Sequence, residues 1–233
     1  MSNNEAMRRD GYFVAPRVID DVTVASLIAA IENTQDAIGV RRRDSVYAIR
    51  NLFDAVPAVR ELARIERIRS LVEPILGLHC FAVRGILFDK TPDANWKVMW
   101  HQDLSIAVRE RKNLDDFGPW TNKAGVLHVQ PPTAVLEGML TLRLNLDDDA
   151  QNGALRVLPG SHRHGKLGSA DIHLRRESHD DVTCAVPRGG ALLMKPLLLH
   201  ASSSSRAPRH RRVIHLEFAA ESLPNGLEWH CRI

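Results

Sequence analysis

Trp100-His101-Gln102-Asp103-Leu104 places an imidazole and a carboxylate two residues apart in a segment that reads as β-strand. Side chains alternate across a strand, so His101 and Asp103 point to one face, where both can grip the same ion. A third ligand must come from elsewhere in the chain, and His200, at the end of the apolar strand Ala191–His200, is the candidate. Two histidines and one carboxylate on one side of a metal leave its other side open, the facial arrangement of non-haem Fe(II) oxygenases. The triplet alone is weak, because a chain with 11 histidines produces such spacings by chance.

Arg211 shifts that balance. After His200 the chain runs through a polar Ser/Pro loop and returns along Arg212–Phe218, so a residue opening the return strand can face the cavity that His200 faces. A guanidinium fork matches a carboxylate bidentately, which an ammonium cannot do. A keto-diacid suits this layout, with one end on the metal and the other on Arg211. The competing reading is a solvated basic turn of Arg206, Arg209, Arg211 and Arg212.

Weaker signals surround these residues. Thr141, Arg143 and Asn145 alternate with Leu140, Leu142, Leu144 and Leu146. That polar face either lines a site or is the wet side of an antiparallel sheet. Lys97 either reaches a carboxylate or lies in solvent. Trp96 and Trp100 either line the pocket or pack as buried aromatics. Arg109–Thr133, rich in charge and turn residues directly after the ligand strand, is placed for a substrate lid. Arg41-Arg42-Arg43 reads as a solvated charge run rather than an anion contact.

The elements that must position these groups fall into two textures. Up to about residue 78 the chain reads as helical: Val24, Leu27, Ile28 and Ile31 share a face after the caps Asp20 and Asp21. A second helical region starts near Ala58, weakened by Pro74 and stopped by Gly77. From about 79 to 220 short strands take over, over Phe81–Phe88, Val98–Val108, Gly125–Val129, Val135–Leu146, Ala154–Leu158, Val182–Val186, Ala191–His200 and Arg212–Phe218. Turn signals such as Gln151-Asn152-Gly153 and Arg188-Gly189-Gly190 separate them. Helices followed by many strands predict a mainly β roll with flanking helices in one domain over residues 1–233.

Composition narrows the function classes. Hydrophobic residues make up 44% and charged residues 25%, as in globular proteins with a core. A net charge of +3 does not argue for nucleic acid, and no apolar run is long enough for a membrane span. The start MSNNEAMRRDGYF lacks the apolar stretch of a secretion signal. Cys80, Cys184 and Cys231 are odd in number and far apart, so a reducing cytoplasm and a small-molecule partner are expected.

The chain resembles the phytanoyl-CoA dioxygenase family. The resemblance begins at Gly11-Tyr12-Phe13-Val14 and the helix after Asp20, and continues through Trp100-His101-Gln102-Asp103. It goes on through Asn152-Gly153-Ala154-Leu155-Arg156-Val157-Leu158-Pro159-Gly160-Ser161-His162 and ends with His200-Ala201-Ser202 and Arg211. The middle stretch is the most distinctive, and its role reads as structural, with His162 not a ligand. The resemblance implies a double-stranded β-helix (jelly-roll, cupin-like) core, with Fe(II), 2-oxoglutarate and O₂ as cofactors. It implies His101, Asp103 and His200 as iron ligands, Arg211 as partner of the distal 2-oxoglutarate carboxylate, and Ser202 as its assistant. Thr141 and Lys97 are expected beside the cosubstrate, and Arg143, Asn145 and Trp100 beside the substrate. The expected reaction hydroxylates a small organic molecule with release of succinate and CO₂. Asp103 disfavours halogenation, since related halogenases carry a small residue there. The rival expectations are another cupin-like metalloenzyme and a non-catalytic binding protein on the same fold.

Overall fold

The computed structural model describes residues 2–150, 152–205 and 209–233; Gln151 of the expected turn and Arg206 of the expected basic turn lie outside them. Seven antiparallel strands make the larger sheet. In spatial order they are β1 (Tyr12–Ala15), β12 (Ala191–Met194), β9 (Met139–Asn145), β14 (Arg212–Ala219), β4 (Phe81–Asp89), β3 (Val46–Ile49) and β2 (Val40–Arg42). Facing it are four strands, β11 (Val182–Cys184), β10 (Leu155–Val157), β13 (His200–Ser202) and β5 (Val98–His101). A third sheet of β6 (Ile106–Val108), β8 (Val126–Val129) and β7 (Trp120–Lys123) flanks them. The two larger sheets form the jelly-roll expected from the sequence.

Helices brace the outer side of the large sheet. They are α1 (Asn3–Arg9), α2 (Asp21–Glu32), α3 (Leu52–Ala55), α4 (Pro57–Leu62) and α5 (Glu66–Leu76), while α6 (Thr133–Glu137) and α7 (Ser169–Ser178) come later. Asp20 caps α2, its carboxylate accepting from the Thr23 N–H at 2.8 Å. Val24, Leu27 and Ile31 of α2 and Ile68 and Val72 of α5 then bury against Leu140, Leu142 and Leu144 of β9 and Ile214, Leu216 and Phe218 of β14. Because the helices cover the leucine face, the alternate residues of β9 turn into the roll. Register carries this across the sheet: Arg143 pairs with His215, which pairs with Ile86, and Thr141 pairs with Glu217, which pairs with Arg84. The polar face of β9 is therefore an interior face, not a wet one. No helix among the described residues is long and apolar enough to cross a membrane.

Several expected elements are divided differently. The strand expected over Val98–Val108 is two strands in different sheets, and Asp103 lies in the extended link between them. The strand expected over Ala191–His200 ends at Met194, and His200 opens β13 in the opposite sheet. Pro196 lies in the crossing and cannot donate to a ladder. Val135 belongs to α6, with Gly138 ending that helix before β9. The N-terminal part contributes strands as well as helices, since β1 pairs with β12, and β2 and β3 extend the other edge. Short edge strands without alternation leave little trace in a periodicity reading.

Gly153 is required by space as well as conformation. Its φ is +73°, and a Cβ there would run into the Ser203 carbonyl of the loop leaving β13. Gly153→Ala is expected to cost about 1–3 kcal/mol, read as a lower urea midpoint with unchanged m-value. An unchanged midpoint would refute the close approach.

Candidate metal centre

His101 and His200 are directly paired across β5 and β13, with ring centroids 4.2 Å apart. Asp103 closes the cluster: Oδ1 is 3.8 Å from His101 Nε2, and Oδ2 is 3.7 Å from His200 Nε2. One ligand atom from each of these residues lies within 4.8 Å of the others. His101 Nδ1 is 2.7 Å from the Met99 carbonyl and His200 Nδ1 is 2.9 Å from the Leu198 carbonyl. A carbonyl only accepts, so each Nδ1 carries the proton and each Nε2 presents a lone pair to the cluster. Asp103 Oδ2 is buried with no hydrogen-bond partner. Burial holds the His200 imidazole at about 4, so it is neutral and ready to ligate at physiological pH. Burial pushes the Asp103 carboxyl up, but His200, His215, His101 and Arg143 outweigh it and bring it down to about 2. Two aimed lone pairs and an orphaned carboxylate oxygen fit a divalent cation, and the two-nitrogen, one-oxygen donor set suits Fe(II).

Neighbouring loops hold the three groups in place. Asp103 N–H donates to the Pro196 carbonyl at 2.9 Å, pinning the link after β5 to the crossing that leads to His200. Gln102 points the other way, donating to the Gly165 and Leu197 carbonyls at 2.8 and 2.7 Å and accepting from the Leu167 N–H at 2.8 Å. Ser161 braces the far side: its hydroxyl donates to the Leu158 carbonyl at 2.7 Å and accepts from the Leu199 N–H at 2.9 Å. The Leu-Pro-Gly-Ser-His stretch thus works structurally, and His162 packs its ring against Gly11.

The triad opens into a cavity of about 320 Å³ whose lining includes Arg211, Ser202 and Lys90. Arg211 is buried, donates from Nη1 to the Gly153 carbonyl, and keeps its Nε without a partner. Burial and the nearby Arg143 push its guanidinium down to about 10. Lys90, immediately after β4, is buried and donates to Ser202 Oγ at 3.1 Å and to the Ser203 carbonyl. Among the described residues no carboxylate forms an ion pair with either cation, so a ligand acid would complete this end.

Burial, followed by Arg211 and Arg143, lowers Lys90 from 10.5 to about 7. An unfolded lysine keeps its proton up to about 10.5, so between about 7 and 10.5 the unfolded chain binds more protons than the folded one. Stability of the ligand-free protein is therefore expected to rise with pH across that window. Lys90→Met should flatten that rise relative to the unsubstituted protein in urea melts at pH 7 and 9. Parallel pH profiles for the two proteins would argue against the assignment.

The structure corrects four expected neighbours. The cavity's lysine at this end is Lys90, not Lys97, which is outside the lining. Trp100 faces away from His101 and lies under the guanidinium groups of Arg156 and Arg176, 5.7 and 5.5 Å from its ring centroid. Thr141 faces inward but pairs with Glu217, at the opposite end of β14 from Arg211, so it is too far along the strand to assist the acid. Asn145 instead ties β9 to the next turn, donating to the Val186 carbonyl at 3.2 Å.

Arg143 does line the cavity, donating to His215 Nδ1 at 3.0 Å, and Trp96 also lines it. That bond makes Nδ1 the acceptor and leaves the His215 Nε2–H facing Glu217 Oε1 at 3.4 Å. The segment expected as a lid is a folded hairpin, β7–β8, that adds Lys123 to the cavity wall. Lys90, Arg84, His215 and Glu217 escaped the sequence reading. Extending the alternation of β4 and β14 inward from Arg211 would have found them.

Residues 7–213 match the family model described as Phytanoyl-CoA dioxygenase (PhyH). The chain belongs to the phytanoyl-CoA dioxygenase family. An ectoine dioxygenase of Bordetella parapertussis is 25% identical over 168 residues, 68% of this chain and 48% of the relative. The chain thus spans about half the length of that curated relative. AviO1 from Streptomyces viridochromogenes Tue57 superposes with a TM-score of 0.68 at 24% identity, covering 95% of each chain. EctD from S. alaskensis with bound Fe superposes at 0.72 and 21% identity, over 93% of this chain and 75% of EctD. Phytanoyl-CoA dioxygenase family members are Fe(II)/2-oxoglutarate oxygenases with the jelly-roll core seen here.

Proposed function

We propose that this chain is a non-haem Fe(II)/2-oxoglutarate-dependent dioxygenase that hydroxylates a small organic molecule, releasing succinate and CO₂. His101, Asp103 and His200 hold the iron in this reading, and Arg211, Lys90 and Ser202 hold the distal carboxylate of the cosubstrate. One observation carries it: three donors without competing partners and a guanidinium with a free Nε face a single cavity. Family membership and the relative named ectoine dioxygenase support the activity and a small substrate. A cavity of about 320 Å³ is at the lower end for small-molecule pockets and supports the same size class.

Bound Fe(II) supplies the O₂ activation that couples cosubstrate decarboxylation to oxidation of a C–H bond. The residues do the positioning. The Met99 and Leu198 carbonyls fix the imidazole tautomers, and the Asp103–Pro196 bond sets the carboxylate against them. Arg211 and Lys90 orient the diacid, with Ser202 holding the ammonium in place. Arg143 and His215, on the opposite sheet, form the wall facing the triad and limit water there. Cytoplasmic placement is part of the same proposal, since Cys80, Cys184 and Cys231 are all free.

Protein loaded with Fe(II) and given O₂ and 2-oxoglutarate is expected to release succinate slowly without substrate. Protein with bound iron that forms no succinate and does not bind 2-oxoglutarate would favour another cupin-like metalloenzyme.

A further inference from the structure

Charge in the cavity is lopsided. Among the described residues, six cationic side chains line it against two carboxylates, Asp103 and Glu217. Fe(II) and the 2-oxoglutarate dianion cancel each other, so loading the enzyme leaves the excess positive charge in place. The cations also sit at two separate ends. Lys90 and Arg211 mark one end, and Arg84 stands six residues back along β4, about 20 Å away at strand spacing. The triad faces the rung between them, where Arg143 and His215 act on Asp103.

At the Arg84 end, Glu217 is already engaged: Arg84 Nη1 donates to its Oε1 at 3.1 Å, and both side chains are largely buried. Two further cations face the same space. Lys123 donates only to the Ser105 hydroxyl, at 2.9 Å. Arg50 is half-buried and has no acid or hydrogen-bond partner acting on its guanidinium among the described residues. One backbone and one side-chain hydrogen bond hold the segments bearing this pair at the cavity despite their repulsion. Arg50 N–H donates to the Gly39 carbonyl at 3.0 Å, and Asn51 Nδ2 donates to the Ala124 carbonyl at 3.1 Å. The second bond ties the loop bearing Arg50 to the β7–β8 turn that follows Lys123. Burial comes first in making each cation less basic; Arg41 and then Arg84 add to it at Arg50, and Arg84 and Arg50 add to it at Lys123, where Glu217 and Asp103 oppose them in part. Three half-buried or buried cations share one carboxylate here, Glu217, which Arg84 already engages; such an excess of like charge is costly, and a ligand anion reduces that cost.

We propose that this end of the cavity is an oxyanion subsite, in which Arg50 and Lys123, backed by the Arg84–Glu217 pair, bind a carboxylate or phosphate of the substrate. The inference rests on the oxygenase reading, and it narrows the substrate class to small organic acids or phosphate esters. The Arg84–Glu217 rung is two residues, about 7 Å, along the strands from the rung facing the triad. The anionic group is therefore expected to sit away from the carbon that is oxidised rather than next to it.

The test uses intact protein loaded with Mn(II) and saturating 2-oxoglutarate without turnover. Its melting temperature is followed against inorganic phosphate, acetate and, at matched ionic strength, chloride. Phosphate or acetate is expected to raise the melting temperature saturably above the chloride control. The double variant Arg50→Gln/Lys123→Met should need at least tenfold more of the same anion, while its 2-oxoglutarate-induced shift stays unchanged and shows that it is folded. The anion that works tells a carboxylate subsite from a phosphate one. Oxyanions no better than chloride, or an undiminished response in the double variant, would overturn the proposal. Loss of the 2-oxoglutarate shift in the unsubstituted protein would instead count against the oxygenase reading.

Discussion

Asp103→Ala is expected to reduce succinate release by more than about 100-fold, since even partners standing behind a metal ligand are worth 10–100-fold. The protein should still fold. Asp103 Oδ2 has no hydrogen-bond partner, and the segment is held through the Asp103 backbone and the Gln102 side chain, both of which the substitution leaves in place. The metal-free variant should therefore melt within a few degrees of the unsubstituted protein. It should lose the rise in melting temperature that Fe(II) or Mn(II) gives, because binding energy for the native state adds directly to stability. Metal analysis and two melts decide the matter. A variant that keeps its metal and its succinate release would remove Asp103 from the ligand set.

Arg211→Lys should raise the KM for 2-oxoglutarate by about 100-fold, although charge is conserved. Hydrogen bonds to charged groups contribute about 1.5–3 kcal/mol, and about 2.7 kcal/mol corresponds to a hundredfold. An ammonium presents no planar fork to the acid, so the paired hydrogen bonds that a guanidinium gives are lost. Lys90 remains, so binding is weakened rather than abolished, and kcat at saturating cosubstrate should fall less than kcat/KM. Steady-state titration of 2-oxoglutarate checks this. An unchanged KM would place the distal carboxylate elsewhere in the cavity.

The metal cluster was legible because its signal is local chemistry. His101 and Asp103 are near neighbours, and Arg211, 11 residues after the candidate His200, gave their weak spacing its weight. The way they meet was not legible. A strand running through both would put them on one face by alternation, whereas the strand stops at His101 and a link pinned to Pro196 brings Asp103 round. Either geometry satisfies the same spacing. The inward turn of Thr141, Arg143 and Asn145 was equally open, because alternation says that two faces differ without saying which one is covered. Burial of the leucines under α2 and α5 decided it.

Sequence alone supplied the candidate donors, the guanidinium suited to a diacid and the helical-then-β order, since residue type and short-range periodicity carry all three. Tertiary structure decided which cations share the cavity. Lys90, Arg50 and Lys123 come from just after β4, the loop before α3 and the end of β7, and only sheet register and loop docking bring them to one space. Electrostatic interaction depends on distance in space, and a chain folded into facing sheets makes that distance independent of separation in sequence.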